Sequence, residues 1–173
     1  MTVCGRFAPT PSGRIHLGNI LCAMLSWLSV RSKNGRYLLR IEDLDAMRCP
    51  RSLADLIEDD LKWFGIDWDD GGSAGGDPWY QSCRTAIYDR YFDVLKDKGL
   101  LSPCFCSRAE LHTAQAPHRS DGTYIYAGTC RNLTPEQIAE KSKRRPPAWR
   151  VRVPEREMSF TDGCQGVYTE NLA

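Results

Sequence analysis

The chain has 173 residues and a formal net charge of +1, with 42% apolar and 26% charged residues. This length allows one compact domain with a core, together with a small insert. No apolar run approaches the ~18 residues of a membrane span, and no basic segment followed by an apolar one marks a secretion signal. A membrane partner is therefore excluded and a cytoplasmic location expected. So small a net charge also excludes bulk attraction to nucleic acid, and any such contact needs a local patch.

Residues 3–8 read as a short buried strand. They run into Pro9-Thr10-Pro11-Ser12-Gly13 and then His16-Leu17-Gly18-Asn19. A helix is expected over 18–32, with Leu17, Ile20, Leu21, Met24, Leu25 and Leu28 facing inward and Cys22 acting as a small hydrophobe. Asn34-Gly35 ends it. Residues 37–41 form a second strand, with Glu42 and Asp43 at its C-terminal edge, and the crossover is long enough for parallel pairing. A second helix fits 51–64, with Leu53, Leu56, Ile57, Leu61 and Phe64 as its stripe and Gly65 as its stop. Residues 65–78, rich in Gly and Asp, read as a loop. A third helix fits 83–97, with Ile87, Tyr88, Tyr91 and Leu95 inward. This βαβα order predicts an α/β fold built on a doubly wound parallel sheet.

From Leu101 the pattern changes. Residues 102–132 carry three cysteines, two histidines and few periodic apolars, and read as a small inserted module. Thr134 as N-cap, Pro135 at N1 and Gln137 at N3 start a short helix. Trp149-Arg150-Val151-Arg152-Val153 alternates as a strand, and Met158-Ser159-Phe160 begins another.

Four groups of residues carry chemistry, the cysteine cluster being the third along the chain and the basic run the last. His16 stands at a strand-to-helix turn, where α/β proteins bind ligands. Bare N–H groups at a helix start, with an imidazole beside them, suit a phosphate, and Gly18 permits close backbone approach. The same glycines also suit a turn that is simply tightly packed. Arg6 and Glu42, on neighbouring strands, reach one crevice. An arginine fork suits a substrate carboxylate and a glutamate suits an ammonium, so the pair would grip an amino acid; it equally suits an ion pair between strands. The basic run Lys141, Lys143, Arg144, Arg145, Arg150 and Arg152 fits either a solvated face or a phosphate-backbone contact.

The third group is the cysteine cluster. Cys104 and Cys106 lie two apart on an extended segment and point the same way, and Cys130 follows beyond a long loop. Eight cysteines without an export signal indicate a reducing compartment and a metal site. Three thiolates want a fourth partner for structural Zn²⁺, and His112, His118, Tyr124 and Tyr126 are the candidates. Metal would supply folding energy that this core-poor segment lacks.

Together, Arg6-Phe7-Ala8-Pro9-Thr10-Pro11-Ser12-Gly13 with His16-Leu17-Gly18-Asn19, then Leu39-Arg40-Ile41-Glu42-Asp43-Leu44-Asp45 with Arg48, then Trp79-Tyr80-Gln81-Ser82, resemble the motif blocks of the class I glutamyl-tRNA synthetases. Within that family the chain is more similar to the glutamyl-queuosine tRNA(Asp) branch. Asn19 stands where the parent motif has His, and Pro103-Cys104-Phe105-Cys106-Ser107-Arg108-Ala109-Glu110 and Tyr126-x-x-x-Cys130 match the zinc region of that branch.

The resemblance implies a Rossmann-like half over residues 1–100, a zinc-binding module over 101–132 and the beginning of an α+β acceptor-side insertion over 133–173. It implies a monomer that activates glutamate with ATP and Mg²⁺ and passes the glutamyl group to queuosine in the anticodon of tRNA(Asp). Arg6, Phe7, Ala8, Pro9, Thr10 and Glu42 would line the glutamate site. His16, Gly18 and Asn19 would bind ATP and serve the reacting phosphate, and Cys104, Cys106, Tyr126 and Cys130 would hold zinc. A second half, with further strands and a Lys-Met-Ser-Lys-Ser-like ATP loop, is also implied, so an N-terminal fragment is expected. Two rival readings are a truncated glutamyl-tRNA synthetase charging tRNA(Glu), and a non-catalytic zinc module that binds RNA.

Overall fold

In the computed structural model, which describes residues 3–111 and 126–171, the chain opens with β1 (Cys4–Phe7), α1 (Leu17–Arg31) and β2 (Arg36–Leu39). The strands pair in parallel, from Cys4 opposite Arg36 to Phe7 opposite Leu39. Pro9 and Pro11 stop β1, since neither can donate to a sheet ladder. Next come α2 (Ser52–Trp63) and the two-residue β3 (Asp70–Gly71). β3 joins β2 in parallel, giving the sheet order β1-β2-β3. The expected parallel strand–helix–strand unit is present, and β3 lies inside the segment expected to be loop. Gly71 explains how so short a strand fits. Its φ is +99°, and a Cβ there would stand 1.9 Å from the Leu39 carbonyl oxygen.

The core of this part joins Ile20, Ala23 and Val30 of α1 to Tyr37, Leu39 and Ile41, and these to Ala54, Ile57 and Leu61 of α2. Three expectations need correction. β1 is an edge strand with alternating exposed and half-buried residues, not a buried one. The face of α1 that meets the sheet is Ile20, Ala23 and Val30, while Leu17, Leu21, Met24, Leu25 and Leu28 are exposed, as is Cys22. α1 is apolar nearly all round, so periodicity could not choose its inward face. Close approach chose it: Ala23 is fully buried, and its carbonyl accepts a 3.0 Å bond from the Tyr37 hydroxyl. On α2, Ile57 and Leu61 are buried and Leu53 and Leu56 half-buried as expected, with Ala54 and Glu58 joining them, but Phe64 is exposed. Glu58 can be buried because its carboxylate accepts hydrogen bonds from the Ser73 backbone N–H and hydroxyl.

α3 (Thr85–Asp97) follows, with no buried residue, and Ile87 and Tyr91, expected inward, are exposed. The division between two compact units, Met1–Arg90 and Tyr91–Ala173, falls inside it. The second unit contains β4 (Leu101–Cys104), α4 (Arg108–Leu111), α5 (Pro135–Ser142), β5 (Ala148–Val151), β6 (Glu157–Asp162) and β7 (Gly166–Asn171). β4 pairs antiparallel with β5, and β6 with β7. α5 starts with the expected capping box: the Thr134 hydroxyl accepts from the Gln137 N–H, and the Gln137 side chain accepts from the Thr134 N–H. Among the described residues no helix is long and apolar enough to cross a membrane.

Candidate active site and metal centre

The turn from β1 to α1 walls a cavity of about 340 Å³, at the lower end of the size of small-molecule sites. Phe7, Ala8, Pro9 and Thr10 line one part of it. Ser12 to His16, Asn19 and Ile57 of α2 line the rest. Six residues expected to serve glutamate or ATP therefore share this one cavity: Phe7, Ala8, Pro9, Thr10, His16 and Asn19. Arg6, Gly18 and Glu42 are not in its lining.

His16 is the N-cap of α1, with extended backbone (φ −91°, ψ 162°). Its carbonyl accepts from the Asn19 and Ile20 N–H groups at 3.0 and 3.1 Å, whereas its side chain makes no capping bond. Helix geometry leaves the Leu17 and Gly18 N–H groups without an intrahelical partner. No acidic residue lies in the first turn to offset the positive end of the helix dipole. At Gly18 an added Cβ would meet only the His16 ring, at 3.5 Å, an ordinary contact. The protein's own packing thus does not require this glycine, which argues against a turn that is simply tightly packed. Asp60 of α2 holds the turn in place: its carboxylate accepts the Ile15 N–H at 3.0 Å and pairs with Arg14. No local pattern in the sequence marks Asp60, because the contact spans 45 residues.

Arg6 and Glu42 do not pair. Glu42 is bound at 2.5 Å by Arg40, two residues earlier on its own strand path, and Arg6 is exposed. The Glu42 N–H donates to the Pro9 carbonyl at 2.9 Å, which fixes this carboxylate's backbone beside the β1–α1 turn. The neighbouring Asp43 is buried and accepts from the Ser82 N–H and hydroxyl at 2.9 and 2.7 Å. An isolated bridge from Ile41 to Tyr80 completes this junction. The blocks Leu39–Asp45 and Trp79–Ser82, far apart in sequence, are thereby joined at the C-terminal end of β2, the end where parallel sheets bind ligands.

In the second unit the sulfurs of Cys104, Cys106 and Cys130 all lie within 4.8 Å of one another, with Cys106 and Cys130 at 3.7 Å. Tetrahedral Zn²⁺ with bonds of about 2.3 Å places its sulfurs about 3.8 Å apart, so this spacing and donor set fit zinc. Cys104 and Cys130 are buried and Cys106 half-buried. The Tyr126 hydroxyl accepts the Cys130 N–H at 3.0 Å. His112, His118 and Tyr124, the other candidate fourth ligands, lie outside the described residues.

Burial raises the Cys104 thiol, but hydrogen bonds from Tyr126, Arg150 and Cys106 outweigh it and lower the group to about 7. Burial, with the bonds to Cys130 and Cys104, pushes Cys106 up to about 12. Burial, followed by the bond to Cys104, pushes Tyr126 up to about 12. Part of the basic run is occupied within the protein: Lys143 and Arg144 pair with Glu140, and Arg152 donates to the Arg131 carbonyl.

Residues 2–171 match the family model of the class I tRNA synthetases (E and Q), catalytic domain. A glutamyl-Q tRNA(Asp) synthetase of Nitratidesulfovibrio vulgaris is 48% identical over 94% of this chain and 51% of its own length. One from Symbiobacterium thermophilum is 47% identical over 95% of this chain and 52% of its own length. A glutamate–tRNA ligase 2 of Alkalilimnicola ehrlichii is 43% identical, over 93% of this chain and 35% of its own length. The chain spans about half the length of the glutamyl-Q relatives it matches. Among solved structures, a glutamate tRNA ligase from Elizabethkingia meningosepticum in complex with its amino acid superposes with a TM-score of 0.77 at 28% identity, covering 99% of this chain and 36% of that one. Motif, fold and family match agree over nearly the whole sequence: the chain belongs to the catalytic-domain family of the class I tRNA synthetases of the E and Q type.

Proposed function

We propose that this catalytic-domain chain serves the ATP-dependent activation of glutamate and the transfer of the glutamyl group to queuosine in the anticodon of tRNA(Asp). In the first step a glutamate carboxylate oxygen attacks the α-phosphorus of ATP, the α–β bridging P–O bond breaks, and pyrophosphate leaves. In the second, a queuosine hydroxyl attacks the acyl carbon, AMP leaves, and the hydroxyl proton passes to solvent. Magnesium accompanies ATP as its counter-ion. No side chain acts as nucleophile; the protein contributes positioning and charge stabilisation.

The observation that carries this reading is the cavity at the β1–α1 turn, lined by His16 and Asn19, beside the unoffset N-terminus of α1 with its unforced Gly18. Arg6, Phe7, Ala8, Pro9, Thr10 and Glu42 serve glutamate, and His16, Gly18 and Asn19 serve the ATP phosphates. Residues 1–100 carry this work, 101–132 form the zinc module and 133–173 begin the insertion. Cys104, Cys106, Cys130 and Tyr126 hold Zn²⁺, which when bound organises the second unit as a structural cross-link. The names of the relatives support the choice of tRNA(Asp).

Titration calorimetry with a non-hydrolysable glutamyl-adenylate analogue tests the site: saturable binding is expected, reduced at least tenfold in Arg6→Ala. Transfer of labelled glutamate to queuosine-bearing tRNA(Asp), and none to an unmodified transcript, tests the acceptor. The tRNA(Glu) reading has its own support in the glutamate–tRNA ligase relative at 43% identity; charging of a tRNA(Glu) transcript would establish it instead. Elemental analysis is expected to find about one zinc per chain, lost in Cys104→Ser.

A further inference from the structure

Arg150 belongs in sequence to the basic run, yet its environment is unlike that of the others. It lies on β5 opposite Ser102 of β4, two residues before Cys104 and on the same strand face. Its guanidinium carbon sits 3.9 Å from the centre of the Tyr126 ring, and the Cys104 thiol raises its pKa. Its Nε is buried without a hydrogen-bond partner. Among the described residues no carboxylate forms an ion pair with it. The residue as a whole is half-buried; an unpartnered nitrogen of a cation held away from water is costly, and arginine does not escape by losing its proton. The Tyr126 phenol it stacks on, like the cysteine thiols of the cluster, becomes anionic on ligating a metal.

We infer that Arg150 is the charge partner of the metal centre formed by Cys104, Cys106, Cys130 and Tyr126, a positioning residue and not a ligand. Three thiolates and a phenolate around a divalent ion leave a net charge of two minus. Arg150 cancels half of it and, stacked on Tyr126, holds that ring with its hydroxyl toward the sulfurs. The same contacts remove this cation from any role on the phosphate backbone of RNA. The inference rests on the zinc reading above.

Zinc affinity of the full chain, measured by competition with a chromogenic chelator, tests it. Outer-shell partners of metal ligands are worth about 10–100-fold in affinity. Arg150→Gln is expected to weaken zinc binding by that factor. Arg150→Lys, which keeps the charge and gives up the planar fork, is expected to stay within about threefold of the parent. An Arg150→Gln protein that binds zinc like the parent overturns the inference. So does a folded Arg150→Lys protein weakened tenfold or more, since shape and not charge would then be at work; this second variant decides the matter where Arg150→Gln does not fold. A parent chain that takes up no zinc defeats the zinc reading itself, a result distinct from either of these.

Discussion

Gly18→Ala separates a packing glycine from a ligand-facing one. The added methyl group would meet only the His16 ring, at 3.5 Å, so the cost in packing is close to zero. Replacing glycine by alanine in a compatible helical position stabilises a protein by about 0.4–1 kcal/mol, chiefly by restricting the unfolded chain. Gly18 is the second residue of α1, where the lower end of that range applies. Urea unfolding should therefore show the variant equal to the parent or more stable by about 0.5 kcal/mol. Binding should move the other way. A methyl group at the helix start holds a phosphate away from the Leu17 and Gly18 N–H groups, and losing one hydrogen bond to a charged group costs about 1.5–3 kcal/mol, roughly 10–150-fold in affinity. Calorimetry with the glutamyl-adenylate analogue measures this on the same samples. Unchanged affinity would refute the placement of phosphate at Gly18, and a loss of stability would restore the tight-turn reading.

Gly71→Ala tests the fold at β3. Its Cβ would stand 1.9 Å from the Leu39 carbonyl oxygen, with φ at +99°, so a loss of at least about 2 kcal/mol in urea unfolding is expected. Asp60→Ala frees the β1–α1 turn from α2. The Ile15 N–H loses its acceptor, a loss of about 1–2 kcal/mol, while the ion pair to the largely exposed Arg14 adds little; analogue binding should weaken with it, and unchanged binding would show that the turn holds its shape unaided. Zinc binding should fall steeply with pH. Cys106 and Tyr126, both pushed up to about 12, must each give up a proton to ligate. Below neutrality Cys104, lowered to about 7, must do the same, so affinity should drop by at least about a thousandfold for each unit of acidification. Equal affinity at two pH values one unit apart would mean that these groups are not both ligands.

Much of the site was legible because its signals are local. Prolines, glycines and a histidine between a strand and a helix mark the β1–α1 turn, and six of the expected residues do meet in one cavity. The capping box at Thr134 and Gln137 is a four-residue pattern and formed as expected. Cys104, Cys106 and Cys130 could be grouped because thiols are chemically distinctive, and their sulfurs do converge. Asp60, Asp43 and Glu58 were not legible in their roles. Each is an acidic residue whose partner lies on another element: Ile15 and Arg14, Ser82, and Ser73 respectively.

By itself the sequence determined the strands β1, β2, β5 and β6 and the helices α1, α2, α3 and α5, the parallel pairing of β1 with β2, and which residue types could carry chemistry. These follow from periodicity, breakers and reactive groups, all of which act over a few residues. Tertiary structure alone decided which face of α1 is inside, that a two-residue strand at Gly71 joins the sheet, that Glu42 belongs to Arg40 and not Arg6, and that Arg150 lies over the Tyr126 ring. Each of these depends on how closely two distant segments can approach, as at Ala23 under Tyr37 and Gly71 under Leu39. Such distances are set by packing across the fold and leave no mark in the local pattern.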